Sequence, residues 1–296
     1  MSPTLPLILA SERTAEADLA VYACSLKHMG ILNDALAAPK EAWDAWCPKG
    51  VTALVAAIRA RWAEGVAALL DAGADPARLC KSGESALSAA LANKDLPTAQ
   101  RLVSAGADLQ AGIGAPLALA CAEVADRFVP NAQDWVSFCL DLIRQGAHPD
   151  SLTASGIPAL VIATKPGMEG IAMALVEAGA NVNATEPAEG KTALHFLCDT
   201  RVGKEETNAQ FGLALFLQEN GADLQAKSRL GLYPAYLSRW NESAAGSRAI
   251  QMKAERDELL ELARAARPAP EGSAETPGVS GPALASPISA RKKTRL

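Results

Sequence analysis

Between residues 50 and 240 the apolar residues fall into two kinds of cluster that alternate along the chain. The first is a short run opening on or near glycine, serine, threonine or proline: "GVTALVAAI", "GESALSAAL", "APLALAC", "IPALVIA", "GKTALHFLC" and the weaker "GLYPAYLS". The second sets two apolar residues side by side and runs into a glycine turn: "LLDAGADPARL", "LVSAGADLQAG", "LIRQGAHPDSL", "LVEAGANVNAT" and "FLQENGADLQA". Each unit is predicted as two short helices followed by an extended segment.

Every part of the pattern has a physical reason. Thr52, Ser85 and Thr192 stand where a first helix begins, and a hydroxyl there accepts a bond from an otherwise unpaired helix N–H. Pro116, Pro234 and, one place earlier, Pro158 fall at the same starts, where the missing N–H costs little. Small residues follow, Ala57, Ala90, Ala120 and Ala163, which let neighbouring helices approach closely. The second helix ends at Gly73, Gly106, Gly146, Gly179 or Gly221, each suited to a left-handed C-terminal turn; the intervals are 33, 40, 33 and 42 residues.

These two phrases, recurring five times in fixed phase, resemble the T-P-L-H-x-A-A signature and 33-residue period of ankyrin repeats. The resemblance implies an all-α fold with short hairpin fingers, an ankyrin-repeat solenoid. It implies a non-enzymatic module that binds another protein on the concave face of finger tips and first helices, as scaffold or stoichiometric inhibitor. By the same analogy Arg59, Lys81, Ser82, Glu84, Asn93, Lys165, Thr185, Glu186, Lys191, Lys227 and Arg229 lie on that face. The expected groove is mixed in charge, with a basic C-terminal half. His195 takes the family's leucine-histidine position, where the imidazole bonds backbone within the repeat. No cofactor, metal, membrane or small-molecule substrate is implied, and the chain is expected to be monomeric alone.

Two repeats break the regular spacing. From helix-start leucine to turn glycine, the repeats at Leu54, Leu87 and Leu160 span 19 positions, whereas those at Leu117 and Leu194 span 29 and 27. The extra residues, near 121–138 and 198–212, are either longer helices or a partner-specific lobe. The finger between Gly106 and Leu117 is three residues shorter than its neighbours and glycine-rich, which predicts a gap or bend in the finger row.

Both ends of such an array need closing. Residues 1–49 are expected to form a helical cap, with Leu19, Tyr22, Ala23 and Leu26 as the inward face of a helix stopping near Gly30 and Trp43 and Trp46 as a core seal. The array is expected to run over 50–267, closed by a helix carrying Ile250, Leu259, Leu260 and Leu262. Residues 268–296, rich in Pro, Gly, Ser and Ala, read as a disordered tail with a basic end, "RKKTR".

Composition narrows the function classes. At 49% hydrophobic and 4% aromatic the chain suits a helical core of small residues. Net charge is −5, and the last six residues contribute +4, so the rest is near −9, which argues against a duplex-DNA footprint. An anionic partner of the basic tail, nucleic acid included, is the alternative function. The six cysteines form no C-x-x-C pair and sit in apolar runs, which predicts reduced thiols and a cytoplasmic location. The N-terminus has no secretory pattern, and no run is long enough to span a membrane. His195 with Cys198 is the sole local pair for thiol chemistry, a second alternative.

Overall fold

The computed structural model describes residues 5–45, 47, 49–112, 114–126, 131–199, 206–234 and 249–258. The chain divides into two units, residues 1–255 and 256–296; of the second, residues 256–258 are described and are helical. The repeats lie in the first unit, and all its regular elements among the described residues are helices.

Three helices cap the array: α1 (Leu5–Leu26), α2 (Met29–Leu36) and α3 (Lys40–Trp43). The inward face of α1 differs from the expected one. Ala17, Ala20, Ala23 and Cys24 are buried, while Leu19, Tyr22 and Leu26 are 38%, 56% and 53% exposed. Because α1 packs on α2, α3 and the first repeat helix at once, it needs the flat stripe of small side chains; larger residues there would hold it off. His28 caps α2, its Nδ1 accepting from the Ile31 N–H at 3.2 Å. Trp43 is buried as expected, and Trp46 lies outside the described residues.

Five helix pairs follow: α4 (Ala53–Arg59) with α5 (Ala63–Asp71), α6 (Ala86–Ala92) with α7 (Leu96–Ser104), α8 (Pro116–Val124) with α9 (Ala132–Arg144), α10 (Ala159–Ile162) with α11 (Glu169–Glu177), and α12 (Ala193–Asp199) with α13 (Glu206–Glu219). The first helices stack in chain order, α4 on α6, α6 on α8, α8 on α10 and α10 on α12. One continuous core runs from Ala20 to Ala249. Within residues 249–255, which are helical, Ala249 is buried and Lys253 Nζ reaches the Gln218 carbonyl; Leu259, Leu260 and Leu262 lie outside the described residues.

The helix starts form as their residues require. Thr52 Oγ1 accepts from the Val55 N–H at 3.3 Å, and Ser85 and Ser88 exchange side-chain-to-backbone bonds at 3.0 Å in a reciprocal cap. The turn glycines have φ between +84° and +95°. Around Gly106, Gly146, Gly179 and Gly221 nothing lies where a Cβ would be, so glycine serves backbone conformation there, not space. The added residues of the two long repeats go partly into helix: α9 has 13 residues and α13 has 14, against nine in α5, α7 and α11.

Side chains in the turns lace successive repeats together. Asp75, Asp108, Asn181 and Asp223 each accept from the N–H two residues on, and His148 does the same through Nδ1, bonding the Asp150 N–H at 3.1 Å. Two positions past these, another acceptor reaches the next repeat: Gln110 to the His148 N–H, Asp150 to the Asn181 N–H and Asn183 to the Asp223 N–H, at 3.1, 2.6 and 2.8 Å. Asp44 makes the first such rung, to the Asp75 N–H at 3.2 Å. The corresponding residue between the α5 and α7 turns is Ala77, which has no acceptor, and the ladder skips that junction.

The short glycine-rich finger does not leave a gap. Its far side bonds the next finger through Ala115 N–H to the Leu152 carbonyl at 3.0 Å, and a Cβ on Gly114 would meet the Ala154 backbone nitrogen at 3.0 Å. On its near side Gly112 (φ +126°) lies so close to the Ser85–Ser88 cap that a Cβ would meet Ser85 Oγ at 2.8 Å. The glycines close this junction by letting backbone approach side chain.

Candidate protein-binding face

Apart from the short glycine-rich one, each finger is a tight hairpin turn over the start of a first helix. Cys47, Cys80, Thr153 and Ser228 donate their N–H to the carbonyl four residues on, closing around Gly50, Gly83, Gly156 and Gly231. The fifth finger carries one residue more: Glu186 N–H bonds the Lys191 carbonyl, and isolated bridges pair Thr185 with Thr192 and, one finger earlier, Leu152 with Pro158. Fingers and first helices together make one face of the repeat unit.

Several residues expected on this face are spent inside it. The Glu186 carboxylate is buried and folds back over its own turn, accepting from the N–H groups of Ala188, Glu189 and Lys191. Burial pushes this carboxyl up, but bonds from Ala188, Glu189, Lys191 and Gly190 outweigh it and hold it below the ordinary 4.5. Asn93 donates to the Ile58 carbonyl at 2.7 Å, joining two repeats. Arg59 pairs with Glu84. Lys191, with its side chain 12% exposed, lies 2.7 Å from Asp199 and 2.8 Å from Glu189 and over the Phe196 ring. Burial pulls the Lys191 ammonium down, while Asp199 and Glu189 raise it further, leaving it above 10.5.

The rest stay outward. Lys81, Ser82, Lys165, Thr185, Lys227 and Arg229 are exposed. Lys227 Nζ lies 5.4 Å from the centre of the Tyr233 ring, and Arg229 N–H ties its finger to the Glu189 carbonyl at 2.7 Å. Lys165 Nζ reaches the Ala125 carbonyl at 3.4 Å. The basic half is thus thinner than the sequence implies, because Lys191 is matched by two carboxylates.

A groove that the repeat register alone does not reveal opens in the middle of the face. Its origin is the length of α10, four residues against nine in α8 and seven in α12. Thr164 turns its Oγ1 back onto the Val161 carbonyl at 2.8 Å, and Pro166-Gly167 follows, so the helix stops after one turn between longer neighbours. The notch has Val161, Ile162 and Thr164 at its base, Leu119 and Ala122 of α8 on one side, Phe196 of α12 on the other, and the finger residues Thr153 to Ile157 at its rim; Lys165, Asp126 and Glu186 are its charged residues. Its volume is about 1340 Å³. That exceeds the roughly 300–1,000 Å³ of small-molecule pockets, so the groove is sized for a chain segment.

Thiol chemistry finds no support. Cys198 is buried, and burial, helped by the charge of Asp199, pushes its thiol up to about 12. Both His195 nitrogens are occupied: Nε2 lies 3.0 Å from the Leu232 carbonyl, and Nδ1 3.1 Å from the Thr192 N–H and 2.8 Å from its hydroxyl. A carbonyl only accepts, so Nε2 carries the proton and Nδ1 receives the Thr192 donors. The imidazole therefore ties its own repeat to the next one, a wider role than bonding within the repeat. Among the described residues no helix is long and apolar enough to cross a membrane.

No protein-family model matches the chain, and no curated protein matches it. Solved structures do. The ankyrin-repeat domain of Bcl-3, a unique member of the IkappaB protein family, aligns with a TM-score of 0.53 and 22% identity over 78% of this chain and 97% of that one. An ankyrin-repeat domain from Acinetobacter baumannii AYE gives 0.53 and 22% over 67% and 96%, and the ankyrin-repeat domain of human ASB11 gives 0.52 and 16% over 79% and 96%. With paired helices, hairpin fingers and these structural relatives in agreement, the fold of this chain is that of an ankyrin-repeat solenoid.

Proposed function

We propose that this chain is a non-enzymatic binding module that takes a partner protein into the groove between α8, α10 and α12. Ankyrin-repeat domains generally mediate protein–protein interaction, and the stacked repeats here give a rigid surface for it. The observation that carries the reading is the notch over Val161 and Ile162, an apolar recess with a polar rim on an otherwise evenly spaced face. Lys81, Ser82, Thr185, Lys227 and Arg229 extend the contact surface along the fingers, whereas Glu186 and Asn93 hold its shape. The module is read as cytoplasmic and monomeric until it meets its partner, its six cysteines all free and buried.

A photo-crosslinking amino acid at Ser155 or Phe196, in the full chain within cells that make it, is expected to trap a protein adduct. The same group at Arg144, on the second-helix side, serves as the control. Adducts from Arg144 alone, or none from the groove, would overturn the assignment.

A further inference from the structure

The charges around the groove are unevenly matched. Arg59 takes up Glu84, and Lys94 takes up both Glu123 and Asp126, at 3.1 and 2.6 Å. Lys191 takes up Glu189 and Asp199. The Glu186 carboxylate is turned into its own finger by backbone N–H groups. On the cationic side, among the described residues, Lys165, Lys227 and Arg229 have no carboxylate within ion-pair distance. The named charges cancel in sum, so what the face offers an incoming carboxylate is local: three cations, each without a carboxylate at ion-pair distance, on a protein that as a whole carries −5. Lys165 matters most of the three, because it borders the apolar base directly and its ammonium bond among the described residues is a long one, 3.4 Å to the Ala125 carbonyl.

From this juxtaposition, and resting on the binding reading above, we propose that the groove takes a peptide segment presenting a large apolar side chain beside a carboxylate. The apolar group enters the notch over Val161 and Ile162, between Leu119 and Phe196. The carboxylate meets Lys165, and further acidic residues run toward Lys227 and Arg229. The apolar side chain supplies affinity by leaving water, and the carboxylate supplies register and encounter rate. Among the described residues nucleic acid fits less well: the groove lining is aliphatic apart from one ring, which gives bases little to stack on, and the cations without a carboxylate partner are too few to track a phosphate backbone.

The test uses the full chain and a displayed library of random peptides. An enriched peptide is then synthesised with a fluorophore and titrated by anisotropy. Enrichment of a large apolar residue next to Asp or Glu is the expected result. Lys165→Glu should weaken the enriched peptide about tenfold, with the effect shrinking as salt rises. Ser155→Arg, an exposed substitution that fills the groove mouth without touching the core, should abolish binding, and Arg144→Glu should leave it unchanged. Matching thermal unfolding of the variants excludes loss of fold. Peptides without a carboxylate, no enrichment at all, equal binding by Lys165→Glu, or tighter binding of a labelled single-stranded DNA would each overturn the proposal. Should the groove trap a protein by crosslinking while the enriched peptides lack the pattern, the face binds protein and only the peptide class is wrong.

Discussion

His195 has no solvent exposure and three short polar contacts, and its chemistry follows from that setting. Burial lowers the imidazole below its ordinary 6.5, the Leu232 carbonyl works against this, and the Lys191 charge adds to the depression. The folded state therefore resists a proton that the unfolded chain accepts. Stability is full above about pH 6.5 and falls as the pH drops below it. His195→Leu should cost about 2 kcal/mol at neutral pH by stranding the Leu232 carbonyl and the Thr192 N–H. It should also flatten the pH dependence between 6.5 and 4.5, the ordinary values of the imidazole and of the Glu186 carboxyl, whose lowered titration matters only below that range. Urea midpoints at the two ends of that range check both, and a variant that keeps the wild-type slope would place the titration elsewhere. The residue's structural role was legible from its place in the "TALH" phrase, but its partner was not, since Leu232 lies 37 residues away. Glu186 was legible only as a charge. That its carboxylate serves its own turn depends on the one extra residue of that finger, which spacing reveals only once the other fingers are in view.

Among the elements, the turn ladder carries the next prediction. Asp44, Gln110, Asp150 and Asn183 each support the following turn, and Ala77 leaves its rung empty. Ala77→Asn at this exposed position should add about 0.5–1 kcal/mol, the worth of one net hydrogen bond; an unchanged urea midpoint would show that the rungs contribute nothing. The ladder could have been read by aligning the five turn phrases and asking which positions supply acceptors. Two elements were misjudged for reasons of packing. The α1 helix turns its alanines inward because three neighbours crowd one face, a fact that helical spacing alone does not contain. The length of α10 was hidden because "IPALVIA" matches its counterparts through the first turn. The stop comes from Thr164 and Pro166, which follow the recurring phrase.

At the scale of the whole repeat unit, each pair of helices meets only its neighbours, so stability divides into repeat terms and junction terms. The junction between the α4–α5 and α6–α7 repeats lacks its rung, because Ala77 offers no acceptor there. Native-state hydrogen exchange should therefore resolve two blocks that open with different free energies, parting there, and Ala77→Asn should narrow the difference. A single opening energy from α4 to α13 would contradict this. The order of the repeats and their boundaries were legible from the sequence because one period governs both; the groove was not, because it comes from a neighbourhood of unequal helices. The sulfur atoms give the same array an internal chronometer. Cys24 sits in the cap, Cys47 and Cys80 in the first fingers, Cys121 and Cys139 in the middle and Cys198 near the last pair, every one shielded from reagent. Alkylation under rising denaturant, read by peptide mass, would date the unravelling of each district of the molecule in turn, with no probe added to the chain.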